Sequence, residues 1–118
     1  MSYDIALHEP VTGDVIELDD THHIKGSNYV IGGTRDAWLS VTYNYSKHFR
    51  KVMGDDGIRT IYSMTGAESI PVIEDAISQL GDDATDDYWE STEGNAKKAL
   101  KGLLVFAKLM PDGVWDGD

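Results

Sequence analysis

The chain has 118 residues, of which 41% are hydrophobic, and it carries 21 acidic against 10 basic side chains. Its net charge of −11 opposes contact with phosphate backbones and anionic lipids, so we expect neither direct nucleic-acid binding nor membrane attachment. The absence of cysteine excludes disulfides, thiolate metal sites and a cysteine nucleophile. The length predicts a single domain, residues 1–118, and the first residues lack the pattern of a signal peptide, which favours the cytoplasm.

The first forty-odd residues have the period of β-strands. Tyr3, Ile5 and Leu7 alternate with polar or small residues, and "PVTGD" predicts a turn from which residues 15–18 return as the second strand of a hairpin. A second hairpin is predicted around the pair Gly32 and Gly33. One face of its outgoing strand carries the apolar residues Ala37, Leu39, Val41 and Tyr43.

The period becomes helical after residue 43. Tyr45, Phe49, Val52 and Met53 fall on one face of a helix, for which Asn44 is the predicted N-cap and Gly54 the predicted end. The next segment, "GIRTIYSM", is an apolar and polar mixture that predicts neither a helix nor a strand.

Two further helices are predicted in the second half of the chain. One begins at Thr65, whose spacing to Glu68 is that of a capping box, although Ser69 is an alternative cap. The other runs from about Glu93 to Leu109. The tail "PDGVWDGD" is predicted to be too short and polar to form another element, with Trp115 as a candidate for docking on the core. The fold class is therefore α+β, with N-terminal antiparallel hairpins packed against about three helices.

The stretch "TYNYSKHFRK" (residues 42–51) is the densest cationic region of the chain. Tyr45 and Phe49 are predicted to be core residues, because a short helix needs an apolar face on which to pack. The remaining polar and aromatic side chains, with a nearby arginine, suit an anionic, nucleotide-like ligand at a helix N-terminus; a solvated helix face is the alternative. The predicted ligand-binding residues are Tyr43, Asn44, Lys47, His48, Arg50, Lys51 and Arg59.

A dense acidic segment follows the second helix. Such a surface is suited to a basic protein partner. One such partner is a nucleic-acid-binding protein, whose basic channel the acidic segment would occupy by mimicking a nucleic acid. The alternative is an acidic connection between helices whose tryptophan packs on the core. The predicted partner-binding residues are Asp82, Asp83, Asp86, Asp87 and Trp89.

No motif in the sequence specifies a reaction. Neither G-x-S-x-G nor H-E-x-x-H occurs, and the glycines of "GDDGIRT" do not match a phosphate-binding loop. The neighbours His22 and His23 would point to opposite sides of a strand, so no metal site is predicted beside Asp19 and Asp20. We therefore expect no cofactor and favour a protein that is not an enzyme, with a small hydrolase or nuclease that uses His48 or the His22–His23 pair as the alternative.

Four stretches, "TYNYSKHF", "GIRTIYSMTGAESIP", "TEGNAKKAL" and "PDGVWDGD", resemble a group of small acidic proteins carried by phages, prophages and mobile elements of Gram-positive bacteria. The resemblance extends over nearly the whole chain, from Tyr3 to Asp118, and implies no catalytic residues. It implies a binding protein that acts on host processes or defence, through a host protein or a small anionic ligand. A virion structural or assembly protein is a further alternative, and a homo-oligomer stays open.

Overall fold

Strand β1 (Ser2–His8) is the centre of a three-stranded antiparallel sheet in the computed structural model, which describes residues 2–24, 32–87 and 89–118. It pairs with β4 (Trp38–Thr42) on one edge and with β5 (Val114–Gly117) on the other. Tyr3, Ile5 and Leu7 point into the core, because successive side chains of a strand alternate between its two faces. The predicted α+β fold class is confirmed.

The predicted first hairpin forms only beside its turn. The Glu9 amide donates to the Asp14 carbonyl oxygen at 2.7 Å, and the Ile16 amide donates to the Leu7 carbonyl oxygen at 2.9 Å. Strand β2 (Glu17–His22) then leaves β1 and pairs with β3 (Thr34–Asp36) in a separate two-stranded sheet. The hairpin is short because β4 and β5 pair with the two edges of β1.

The second predicted hairpin lies partly outside the described residues, because its incoming strand falls within residues 25–31. Its outgoing strand is present as β3 and β4. Ala37, Leu39 and Val41 are buried on one face, as the alternation predicts.

Helix α1 (Ser46–Met53) follows a 3₁₀ turn at residues 43–45. Tyr45 and Phe49 are 2% and 0% exposed, which confirms them as core residues. Asn44 was wrongly predicted as the N-cap of this helix. The N-cap position is Tyr45, which makes no side-chain cap hydrogen bond, and Asn44 lies in the preceding 3₁₀ turn, where its amide donates to the Thr42 hydroxyl. Gly54 ends the helix with φ of +95°, a conformation that glycine adopts without steric cost.

Helices α2 (Gly66–Gln79) and α3 (Glu93–Leu109) pack against each other, and α3 also contacts β4. The predicted capping box is confirmed at α2, where Thr65 and Glu68 each accept the other's backbone N–H. The undecided segment forms a 3₁₀ helix at Gly57–Ile61. No helix among the described residues is both long enough and apolar enough to cross a membrane.

The tail forms β5, so the prediction that it is too short and polar for an element was wrong. A strand at an edge gains its main-chain hydrogen bonds from its neighbour and needs few apolar residues of its own. Trp115 is its anchor: the side chain is fully buried, and its indole N–H donates to the Ser69 hydroxyl of α2 at 2.7 Å.

Candidate functional site

The predicted cationic patch is divided between two sides of helix α1. His48 lies on the flank that faces residues 81–92, the acidic loop between α2 and α3, and Lys51 on the same flank pairs with Glu93 at the start of α3. Ser46 and Arg50, four residues apart, share the opposite flank, where the Ser46 hydroxyl bonds the Tyr3 hydroxyl at 2.6 Å. Lys47 is exposed at the start of α1. The two sides of α1 differ in the parts of the chain with which they form contacts.

One side of the patch is used to dock the acidic loop. The Asn44 side-chain amide donates to the Trp89 carbonyl oxygen at 2.9 Å, and the Ser91 hydroxyl donates to the Asn44 carbonyl oxygen at 2.6 Å. His48 Nε2 lies 3.1 Å from the Ser91 carbonyl oxygen, and Lys51 Nζ forms an ion pair of 3.2 Å with Glu93. One predicted ligand-binding residue, Asn44, therefore contacts one predicted partner-binding residue, Trp89. The polar groups of Asn44, His48 and Lys51 all have partners within the chain.

Several acids of the loop have structural contacts of their own. Asp83 accepts the Gly94 amide at the N-terminus of α3, and Asp87 accepts the Trp89 amide. Asp82 pairs with Lys97 at 2.7 Å, and this hydrogen bond and charge lower the pKa of the Asp82 carboxyl. Asp86 is exposed, and Trp89 is 47% exposed, so the acidic loop presents part of its predicted surface to solvent.

Asn95 organises the acidic loop from beneath, and the sequence reasoning missed it. This α3 residue is only 3% exposed. Its amide nitrogen donates to the Asp87 and Glu90 carbonyl oxygens, and its oxygen accepts the Thr85 amide. A polar amide among the apolar positions of a helix was the available signal, since a buried polar group needs partners.

The other side of the patch carries an arginine on an aromatic shelf. The Arg59 guanidinium carbon lies 4.9 Å from the ring centroid of Tyr3 and 6.0 Å from that of Tyr43. The two tyrosine rings meet edge to face at 4.5 Å between centroids. The shelf positions an always-charged planar group at the surface by cation–π attraction. We call Tyr3, Tyr43, Arg59 and Tyr62 the Arg59 cradle.

The Arg59 cradle holds an acidic residue of the same chain. Arg59 Nε donates to the main-chain oxygen of Asp118 at 2.9 Å, and the Tyr62 hydroxyl donates to the same oxygen at 3.3 Å. The Asp4 amide donates to the Asp118 carboxylate at 2.7 Å. Arg59 is exposed, and neither of its Nη nitrogens has a hydrogen-bond partner among the described residues.

Burial raises the pKa of the Tyr62 hydroxyl to about 12, with the Arg59 charge acting in the opposite direction and Asp118 adding to the rise. Tyr62 therefore keeps its proton at neutral pH and remains a donor. The sequence predicted Tyr43 and Arg59, which the fold does bring together. It missed Tyr3 and Tyr62, because these come from β1 and from the end of a 3₁₀ helix.

The histidines do not form an evident catalytic or metal centre. The two ring nitrogens of His22 lie against the Asp36 carbonyl oxygen and the Ile24 amide. His48 Nε2 is 3.2 Å from the Ser91 hydroxyl, but that hydroxyl donates to Asn44. In the described part of the chain, no group of three or more histidines or carboxylates is placed to hold a metal ion.

One cavity of about 240 Å³ lies outside the predicted site. It is lined in part by His8, Ser63 and Asp116. The Nδ1 atom of His8 is buried without a partner, and Ser63 has φ of +73°. Within residues 2–24, 32–87 and 89–118, no hydrogen bond joins these three side chains, so they do not form a relay for nucleophilic attack.

Compared with known proteins, the chain matches no family model, and neither a curated protein nor a solved structure is significantly similar to it.

Proposed function

We propose that this chain is a binding protein without catalytic chemistry, which holds an anionic group of its ligand in the Arg59 cradle. The observation that carries this proposal is the internal contact between Arg59 and Asp118. Arg59 Nε and the Tyr62 hydroxyl both donate to the main-chain oxygen of Asp118, so an oxygen acceptor of the chain already occupies the position that an oxygen of a ligand carboxylate or phosphate would take. An exposed guanidinium whose Nη donors have no partner among the described residues suits such groups, because its planar fork matches two of their oxygens.

The ligand class that fits is an anion with an attached ring system, as in a nucleotide. Tyr43 is partly exposed beside Arg59, so a flat ring can stack on it while the anion meets the guanidinium. Arg50 is exposed and has no ion pair among the described residues. Helical spacing places it on the same flank of α1 as Ser46, whose hydroxyl bonds that of Tyr3. Arg50 supplies a second cation to the same face.

The resemblance to proteins of phages and mobile elements gives the proposal its setting. We place the protein in the bacterial cytoplasm during infection or lysogeny, where it acts on host processes or defence. The ligand is then a small nucleotide-like signal or an acidic group on a host protein. The exposed part of the acidic loop provides a second surface, for a basic partner.

Calorimetric titration with adenosine 5′-monophosphate tests the proposal. We expect binding to the wild-type protein and a loss of about tenfold or more in affinity for Arg59→Gln, because hydrogen bonds to charged groups contribute about 1.5–3 kcal/mol. Arg35→Gln is the matched control, since Arg35 is an exposed arginine that pairs with Glu17 on the other sheet. Equal affinity of the two variants for the nucleotide would contradict the proposed site.

A further inference from the structure

An apolar hollow of about 220 Å³ lies between β2 and the C-terminal half of α3. Leu18 and Ile24 line one side, and Phe106 and Leu109 line the other. A second hollow, of about 450 Å³, continues around the end of α3. The two hollows share Leu109 and Met110, and we call them together the α3 groove.

Among the described residues, most of the large exposed apolar side chains belong to segments that contribute residues to the α3 groove. Val105 and Leu109 of α3 are 45% and 58% exposed, and both line it. Val11 and Val15 are 95% and 39% exposed, and they belong to the β1–β2 connection, from which Pro10 and Ile16 line the second hollow. Single exposed apolar residues need no explanation, but a cluster along a groove is typical of an interaction site.

The rim of the groove is acidic. Asp19 and Asp20 border the first hollow, and Glu9 and Asp112 border the second. No lysine or arginine is among the described residues that line either hollow. A partner that complements this groove has apolar side chains for its floor, flanked by cationic side chains for its rim.

The acidic charge of the rim favours a cationic partner over a second copy of the chain in the α3 groove. A second copy of the chain would place one acidic rim close to another protein with a net charge of −11, and like charges brought together cost free energy. A cationic segment gains both the apolar contact and the attraction of the rim.

We propose that the α3 groove binds a segment of a partner protein in which apolar side chains are flanked by lysine or arginine. This surface shares no residue with the Arg59 cradle and does not depend on the function proposed for it. Leu109 is the central contact, because it lines both hollows and is more than half exposed.

The probe for this proposal is a fluorescein-labelled peptide of leucine and lysine, with the leucines at helical spacing. There are two control peptides. One has the same composition in scrambled order, and the other has glutamate in place of lysine. Fluorescence anisotropy with the full chain should show binding of the first peptide and weaker binding of both controls by about tenfold or more. No binding of the first peptide, or equal binding of the scrambled one, overturns the proposal.

Variants then locate the contact. Val105→Ser with Leu109→Ser should weaken peptide binding by about tenfold or more, whereas Trp89→Ser removes an exposed apolar side chain elsewhere and should leave it unchanged. Asp19→Asn with Asp20→Asn should weaken it severalfold more than Asp55→Asn with Asp86→Asn, which changes net charge equally at a distance. Equal losses in the first comparison mean that Val105 and Leu109 make no specific contact with the peptide, and equal losses in the second mean attraction to overall charge. Either result overturns the proposal. Amide shifts of the wild-type protein with bound peptide provide a second readout that does not require a variant to fold.

Discussion

The indole N–H of Trp115 donates to the hydroxyl of Ser69 across 2.7 Å, and both side chains are fully buried. This contact attaches the edge strand β5 to helix α2. Because β5 leads to Asp118, it also sets the position of the acidic residue that lies in the Arg59 cradle. The tail therefore connects the core to the proposed binding site.

Ser69→Ala should lower the free energy of unfolding by about 1–3 kcal/mol, because it leaves the buried indole N–H without an acceptor. Urea denaturation followed by circular dichroism measures the loss. Ser78→Ala, at an exposed position of the same helix, is the control and should change stability little. Equal effects of the two substitutions would show that the Trp115 contact contributes nothing specific.

Tyr62 makes stability depend on pH in the alkaline range. Burial raises its pKa from 10.0 in the unfolded chain to about 12 in the folded protein. Its contribution is therefore fully present below about pH 10 and is lost as the pH rises through about 12. Since the hydroxyl is half-buried, solvent screening reduces the effect to the order of 1 kcal/mol.

The measurement is the free energy of unfolding of wild type and Tyr62→Phe at a series of pH values from neutral to about 12. The difference between the two proteins isolates Tyr62 from the other groups that titrate in this range. We expect the stability of wild type to fall more steeply than that of Tyr62→Phe above about pH 10. Parallel curves would mean that the hydroxyl is not in the environment described.

Asn44→Ala should loosen the acidic loop without unfolding the protein. The substitution removes the hydrogen bond from the side-chain amide to the Trp89 carbonyl oxygen, which contributes about 0.5–1.5 kcal/mol. Local opening of the acidic loop should then become about threefold to tenfold more frequent. Hydrogen exchange would detect this as faster exchange of amides in residues 85–91. Lys47→Ala is the control from the same region, because Lys47 has no hydrogen bond to the loop among the described residues. Unchanged exchange in Asn44→Ala would argue against this docking contact.

The helices were predictable because their signals are local. Thr65 and Glu68 cap α2 across three residues, and the apolar spacing around Phe49 needs only one helical turn on each side. The strands that pair with β1 were not predictable, because strand pairing joins residues far apart in sequence. Neither segment alone carries a pattern that identifies its partner. β5 is the clearest case, because its pairing with β1 joins Leu7 to Trp115.

The candidate site shows the same division. The sequence placed the cations near one another, but the direction of each side chain depends on packing that only the fold supplies. His48 points towards the acidic loop and Lys51 towards Glu93 of α3, whereas Arg59 lies on a ring from β1. Tyr3 and Asp118 belong to opposite ends of the sequence, so no local pattern around residue 59 indicates them.

An NMR titration with inorganic phosphate tests the central claim, that the Arg59 cradle is an anion site, most directly. The reporter is the Asp4 amide, which donates to the Asp118 carboxylate. An anion that takes the place of Asp118 changes this hydrogen bond, so we expect the Asp4 amide shift to saturate with phosphate in wild type and to stay constant in Arg59→Gln. A shift that never saturates, or that is the same in both proteins, would contradict the account.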